Sequence, residues 1–166
     1  LDWALDQYKH PVYIAIPSGP VVHAEGPVRT NFDVLNTYEV TRKGSKVAVL
    51  ALGDFYDLGE KTVEALSSTL GIEATLVKPY FAAGVDQNLL DNLVKDHDVI
   101  VTIEDGIIEG GWGQNIASYL GTSSARVLNY GVKKAFYDRV NIADLMRESH
   151  LEPELIAADV KQVLGL

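Results

Sequence analysis

Two kinds of apolar pattern alternate along this chain. Residues 47–52 (Val-Ala-Val-Leu-Ala-Leu) and 99–103 (Val-Ile-Val-Thr-Ile) are nearly unbroken apolar runs, the mark of parallel strands covered on both faces. Residues 74–77 (Ala-Thr-Leu-Val) and 126–130 (Arg-Val-Leu-Asn-Tyr) read as two further strands. Between these runs the apolar positions fall at helical spacing: Val63, Leu66 and Leu70, then Leu89, Leu90, Leu93 and Val94. A further helix is predicted from about Trp112 to Leu120. Two more helical patterns follow, one around Ile142, Leu145 and Met146, the other over 153–164 with Leu155, Ile156, Val160 and Val163 inward.

Boundary residues agree with these periods. Gly71 stands where a helix C-cap is expected, Asp86 where an N-cap is, and Pro153 at a first-turn position. Strands alternating with helices predict an α/β domain built from βαβ units with right-handed crossovers.

The first third of the chain is different. Residues 12–16 (Val-Tyr-Ile-Ala-Ile) read as a strand closed by Pro17-Ser18-Gly19-Pro20. From there to about Asn36 the chain has Gly, Pro, Asn and Thr without apolar periodicity, the composition of a linker. Leu1-Asp2-Trp3-Ala4-Leu5 resembles the end of a helix and has no initiating Met. The chain therefore reads as a piece of a longer polypeptide, one domain plus a fragment of another.

Composition narrows the function classes. The 166 residues include no cysteine, which excludes disulfides and thiolate metal sites and suits a reducing, cytoplasmic setting. The formal charge is −9, with most of the acidic excess after residue 45. Such a surface repels nucleic acid and anionic membranes. No apolar run approaches the roughly 20 residues of a membrane span, and no secretory signal pattern is present.

Candidate chemistry concentrates after the run 99–103, where Glu104 and Asp105 are followed by Gly110, Gly111, Trp112 and Gly113. The end of such strands is where open α/β sheets bind ligands. The two carboxylates could form an acid–base pair or hold a cation. Adjacent residues on an extended segment point to opposite sides, however. The other reading has one carboxylate accepting loop amides and its neighbour facing solvent or a partner subunit. The glycines could cradle an anion at a helix start, or simply permit a tight turn and close helix packing. They match neither G-x-G-x-x-G nor a P-loop, and Trp112 obstructs close approach of a phosphate. His10, His23, His97 and His150 show no metal-ligand spacing. Lys133, Lys134 and Arg139 form a small basic patch able to meet a carboxylate or phosphate, or to stand solvated. No nucleophile–base pair suggests itself.

The order and spacing of several segments resemble the C-terminal domain of transketolase-family enzymes, and among them 1-deoxy-D-xylulose-5-phosphate synthases. The segments are Gly44-Ser45-Lys46-Val47-Ala48-Val49-Leu50-Ala51-Leu52-Gly53, His97 through Gly106, Gly110-Gly111-Trp112-Gly113, and Glu154 through Val160. His10 through Gly19 resembles the last strand of the preceding pyrimidine-binding domain. The resemblance implies three regions: 1–20 ending that preceding domain, 21–37 a linker, and 38–166 the transketolase C-terminal-like domain. It implies a three-layer α/β/α fold whose mostly parallel sheet has one antiparallel edge strand.

It further implies a parent enzyme that condenses pyruvate with glyceraldehyde 3-phosphate, using thiamine diphosphate and Mg²⁺ held by upstream domains at a homodimer interface. The catalytic glutamate and the Gly-Asp-Gly cofactor loop then lie upstream, and Gly53-Asp54-Phe55 is not that loop. No catalytic, cofactor-binding or metal residue is expected here, and the domain serves assembly with its own upstream domains and a second subunit. Related domains in pyruvate dehydrogenase complexes dock other subunits, so a non-catalytic module binding a nucleotide or partner through 104–113 is the alternative.

This chain departs from the synthase pattern at three places. Ala15 and Ser18 stand where the synthases carry arginines, one of which holds substrate phosphate. A planar bidentate donor is lost there. Tyr80-Phe81-Ala82-Ala83-Gly84-Val85-Asp86 replaces an Arg-Phe-x-Lys-Pro-Leu-Asp turn, and Gly131-Val132-Lys133-Lys134 replaces Gly-x-Pro-Asp.

Overall fold

A computed structural model describes residues 1–7, 9–16 and 28–166. The chain divides into two compact units, Leu1–Leu35 and Asn36–Leu166.

In the first unit a short helix, α1 (Asp2–Asp6), carries Trp3. The Trp3 indole N–H donates to Asp33 Oδ1 at 2.7 Å, and its ring meets Phe32 edge-on at 5.7 Å. The strand expected at 12–16 is not formed. A strand exists only through ladder hydrogen bonds to a neighbour, and no strand pairs with this segment among the described residues. Val12, Tyr13, Ile14 and Ile16 are all exposed. Pro17 to Gly19, and with them Ser18, lie outside the described residues, as does His23.

The second unit is a five-stranded sheet in the order β1-β3-β2-β4-β5. Its strands are β1 (Tyr38–Arg42), β2 (Lys46–Ala51), β3 (Thr75–Pro79), β4 (His97–Ile107) and β5 (Arg126–Val132). β1 runs antiparallel to β3, and every other pairing is parallel. The helices are α2 (Tyr56–Leu70), α3 (Gln87–Asp96), α4 (Trp112–Tyr119), α5 (Ile142–Glu148) and α6 (Pro153–Leu164).

The central strands bury both faces, as their unbroken apolar runs require. Val47, Val49, Val99 and Val101 meet Val63 and Leu66 of α2 and Ile156 and Val160 of α6. Ala48, Leu50 and Ile100 meet Leu90 and Leu93 of α3 and Trp112 and Ile116 of α4. These are the three expected layers, with the antiparallel strand at one edge.

The boundary residues act as expected. Gly71 closes α2 with φ +64°, a left-handed conformation that glycine adopts without a Cβ penalty. The Asp86 carboxylate caps α3 by accepting the Leu89 N–H at 3.0 Å, and its other oxygen accepts the Tyr38 N–H. One side chain thus ties a helix start to the edge strand. β4 runs four residues beyond the predicted 99–103. Its regular pairing with β5 breaks between Ile103 and Ile107 and resumes at Ile107–Val132, and Glu104, Asp105 and Gly106 occupy that irregularity.

Candidate functional site

The site begins with strand alternation. Ile100, Thr102 and Glu104 share the face of β4 that looks toward α4, whereas Val99, Val101 and Ile103 face α2 and α6. Glu104 is therefore driven inward and is 6% exposed, while its neighbour Asp105 faces solvent.

A buried carboxylate needs hydrogen bonds to replace lost water. Glu104 finds them at the start of α4. Its Oε2 accepts the Trp112 N–H at 2.9 Å and its Oε1 accepts the Gly113 N–H at 2.8 Å. These are the first two residues of the helix, whose N-cap, Gly111, has no side chain to offer. Glu104 is thus a helix cap supplied from a strand, satisfying two orphan amides and placing a negative charge at the positive end of the helix dipole.

The glycines fit this arrangement sterically. A Cβ on Gly113 would lie 2.4 Å from Thr102 Oγ1 and 3.1 Å from Glu104 Oε1. One on Gly111 would lie 2.5 Å from the Ile107 carbonyl and 2.7 Å from Glu104 Oε1. Thr102 itself donates its hydroxyl to Asn129 Oδ1 on β5 at 2.7 Å. The remaining loop amides are also engaged: the Gly110 N–H donates to Gln114 Oε1 and the Gly111 N–H to the Ile108 carbonyl. All four amides from Gly110 to Gly113 therefore have acceptors within the chain. The place a phosphate would occupy at this helix start is filled by the Glu104 carboxylate.

Trp112 is a packing residue of the α3–α4 layer. It is 3% exposed and donates its indole N–H to the Tyr38 hydroxyl at 2.9 Å. The two rings meet edge-on at 6.0 Å. Burial pushes the Tyr38 hydroxyl up to about 12, against the lowering effect of the Trp112 hydrogen bond.

The other candidates are dispersed. Ala15 is exposed in the first unit. His97 is buried between α3 and β3, with Nδ1 2.8 Å from the Leu93 carbonyl and Nε2 2.7 Å from Thr75 Oγ1. His10 is exposed. Lys133, Lys134 and Arg139 are exposed, and among the described residues the one ion pair of Arg139 is with Asp138 at 3.9 Å, both side chains above 90% exposure. Among the described residues no three His, Asp or Glu side chains converge as a metal site would need. With its amides already bonded, the Gly110–Gly113 loop has no free backbone donor to offer a diphosphate.

Sequence reasoning did not find three interactions. They are the Thr102–Asn129 bond, the Trp112–Tyr38 bond and a cluster in which Asp159 Oδ2 accepts from the Tyr130 hydroxyl at 3.0 Å and lies 2.7 Å from His150 Nδ1. The alternation Tyr38-Glu39-Val40-Thr41 was an available signal for the edge strand that carries Tyr38. Nothing local signals the other two.

Comparison with known proteins accords with this geometry. The family model described as transketolase, C-terminal domain, matches residues 36–156. A 1-deoxy-D-xylulose-5-phosphate synthase of Pseudoalteromonas translucida is 36% identical over 159 residues, covering 93% of this chain and 24% of that protein. One from Clostridium tetani is 27% identical over 166 residues, covering 99% and 26%. The chain thus spans about a quarter of the length of these relatives. Among solved structures, a split-gene transketolase described as an inactive beta4 tetramer superposes with a TM-score of 0.70 at 25% identity, over 88% of this chain and 47% of that one. Transketolase of Pichia stipitis, at 16% identity and a TM-score of 0.51 over 76% of this chain and 17% of that one, shares the fold. The chain belongs to the transketolase C-terminal domain family.

Proposed function

We propose that this chain is the C-terminal part of a thiamine diphosphate-dependent, cytoplasmic transferase of the 1-deoxy-D-xylulose-5-phosphate synthase type, and that residues 38–166 serve assembly rather than chemistry. In this reading residues 1–20 end the preceding pyrimidine-binding domain and 21–37 link it to the C-terminal domain. Thiamine diphosphate and Mg²⁺ belong to the upstream domains, which pair in a homodimer. When bound there, the cofactor supplies the carbanion chemistry of the family.

The observation that carries the reading is the capped loop. In the feature most like an active site, the Glu104 carboxylate holds the start of α4 against β4 through the Trp112 and Gly113 amides, and the Gly110 and Gly111 amides are bonded within the loop and helix. A tethered carboxylate at a helix start competes with any diffusing anion at very high effective concentration. The loop and the exposed Asp105 beside it are then an interface element.

The altered positions Ala15 and Ser18 bear on the substrate. Without a guanidinium at either, the parent holds a phosphorylated acceptor through other residues or takes an acceptor lacking that phosphate.

An amide-resolved NMR titration of the chain with thiamine diphosphate plus Mg²⁺, and separately with ATP, tests the loop. The Gly110–Gly113 resonances are expected to stay in place. Saturable shifts confined to them would overturn the reading in favour of a ligand-binding loop.

A further inference from the structure

We propose that the outer edge of β5 pairs with β5 of a second copy of this chain, antiparallel about a twofold axis at Leu128. This rests on the assembly reading above and names the surface that would carry it.

The two edges of the sheet are treated differently. β1 is broken by a register shift between Val40 and Arg42 and carries Glu39 and Arg42. Bulges and charges are the usual protection of an edge against further pairing. β5 carries a single charge, Arg126, and the irregularity in its ladder lies beyond Tyr130, where the extra residues belong to β4. Its residues 126–130 pair in unbroken register with Val99–Ile103 of β4, and among the described residues nothing pairs with its other side.

Beside that edge lies a cleft of about 490 Å³ between β5 and α6. Its walls include Arg126, Leu128 and Tyr130 from one face of the strand and Asp159, Gln162 and Val163 from one face of the helix. Its charges are self-complementary. Arg126 is exposed and, among the described residues, makes no ion pair or side-chain hydrogen bond. Asp159 gives only Oδ2 to Tyr130 and His150, which leaves Oδ1 without a partner among the described residues.

Antiparallel pairing about Leu128 places residue 126 of each copy opposite residue 130 of the other. Opposed residues of an antiparallel pair share a face, so each Arg126 comes beside the other copy's Tyr130 and the Asp159 bonded to it. Leu128 meets its own counterpart over the apolar floor. One twofold operation satisfies both free groups twice, which is the requirement for an isologous contact.

Sedimentation of the 166-residue chain, joined to a thiol test, decides the matter. A dimer is expected, weakened at least tenfold by R126E, a change at an exposed, unpaired position, with the fold checked by circular dichroism. Because the chain has no cysteine, L128C introduces a single thiol, which lies opposite its counterpart within disulfide reach. Mild oxidation should link L128C into dimers and leave S118C, on the exposed side of α4, unlinked.

A chain monomeric at hundreds of micromolar overturns the proposal. So does a dimer indifferent to R126E, or an L128C variant that links no better than S118C. Thiamine diphosphate binding by the chain would defeat the assembly reading and leave a demonstrated β5 pairing intact, whereas a monomer that binds no cofactor defeats the pairing alone.

Discussion

Glu104 and Trp112 face each other across the end of the sheet, the carboxylate of the first accepting the backbone N–H of the second at 2.9 Å. A strand end is thereby fastened to a helix start eight residues later in sequence. The pair, completed by Gly113, turns what resembles a catalytic loop into a buried joint.

Removing the carboxylate should be costly. Glu104→Ala leaves two buried amides without acceptors, and about 2–4 kcal/mol of unfolding free energy should be lost. Glu104→Gln keeps an acceptor but sets an amide group against a second N–H, so a smaller loss is expected. Urea denaturation of the three proteins checks the order; an alanine variant as stable as the parent would show that the cap contributes nothing.

The glycines should separate by environment. At Gly113 a methyl group collides with Thr102 Oγ1 and Glu104, so Gly113→Ala should cost about 1–3 kcal/mol through overpacking. At Gly110 there is open space, and only the backbone, at φ +82°, resists a side chain. Gly110→Ala should cost about 1 kcal/mol. Thermal unfolding midpoints measure both; equal effects would contradict the assigned packing.

Stability should fall at high pH through Tyr38. Its hydroxyl is raised by burial from 10.0 in the unfolded chain to about 12 in the fold. Between those values the unfolded chain releases a proton that the folded one keeps. The stabilising contribution is thus complete below about pH 10 and is lost as pH rises toward 12. Tyr130 is raised still further by burial and by Asp159, and adds to the same trend. Denaturant titrations at pH 9 and 11 should show a smaller drop for Tyr38→Phe than for the parent. That variant should also lose about 1 kcal/mol at neutral pH, because the Trp112 indole N–H loses its acceptor.

The tautomer of His97 follows from its partners. A backbone carbonyl only accepts, so Nδ1 beside Leu93 O must carry a proton, and in the neutral ring Nε2 accepts from Thr75 Oγ1. Nitrogen-15 NMR of the neutral ring should show the proton on Nδ1. A protonated Nε2 in the neutral ring would require a different arrangement of Thr75 and of the Gly44 N–H that it accepts at 3.0 Å.

What could be read from the chain follows a physical division. Local signals placed most of the domain: Gly71 and Asp86 work within their own turns, Pro153 starts α6, and the runs 47–52 and 99–103 need burial on both faces wherever the chain goes. Signals that depend on a neighbour did not survive alone. Residues 12–16 have strand-like composition, but no ladder partner forms among the described residues, while β1 is a weakly alternating, half-buried edge strand that forms because β3 is beside it.

The candidate site divides the same way. Opposite directions for Glu104 and Asp105 follow from strand alternation. The partners of Glu104, Thr102 and Trp112 depend on three separate meetings, of β4 with α4, of β4 with β5 and of α4 with β1. Ala15 is exposed in the first unit and Ser18 lies outside the described residues, so the fold of the second unit adds nothing to either.

Isothermal titration calorimetry of the 166-residue chain with thiamine diphosphate and Mg²⁺ addresses most directly the proposal that the chain serves assembly rather than chemistry. Folded protein giving no heat beyond dilution is the expected result. Saturable binding at one site per chain with micromolar affinity would contradict it and return the glycine-rich loop to consideration as a cofactor site.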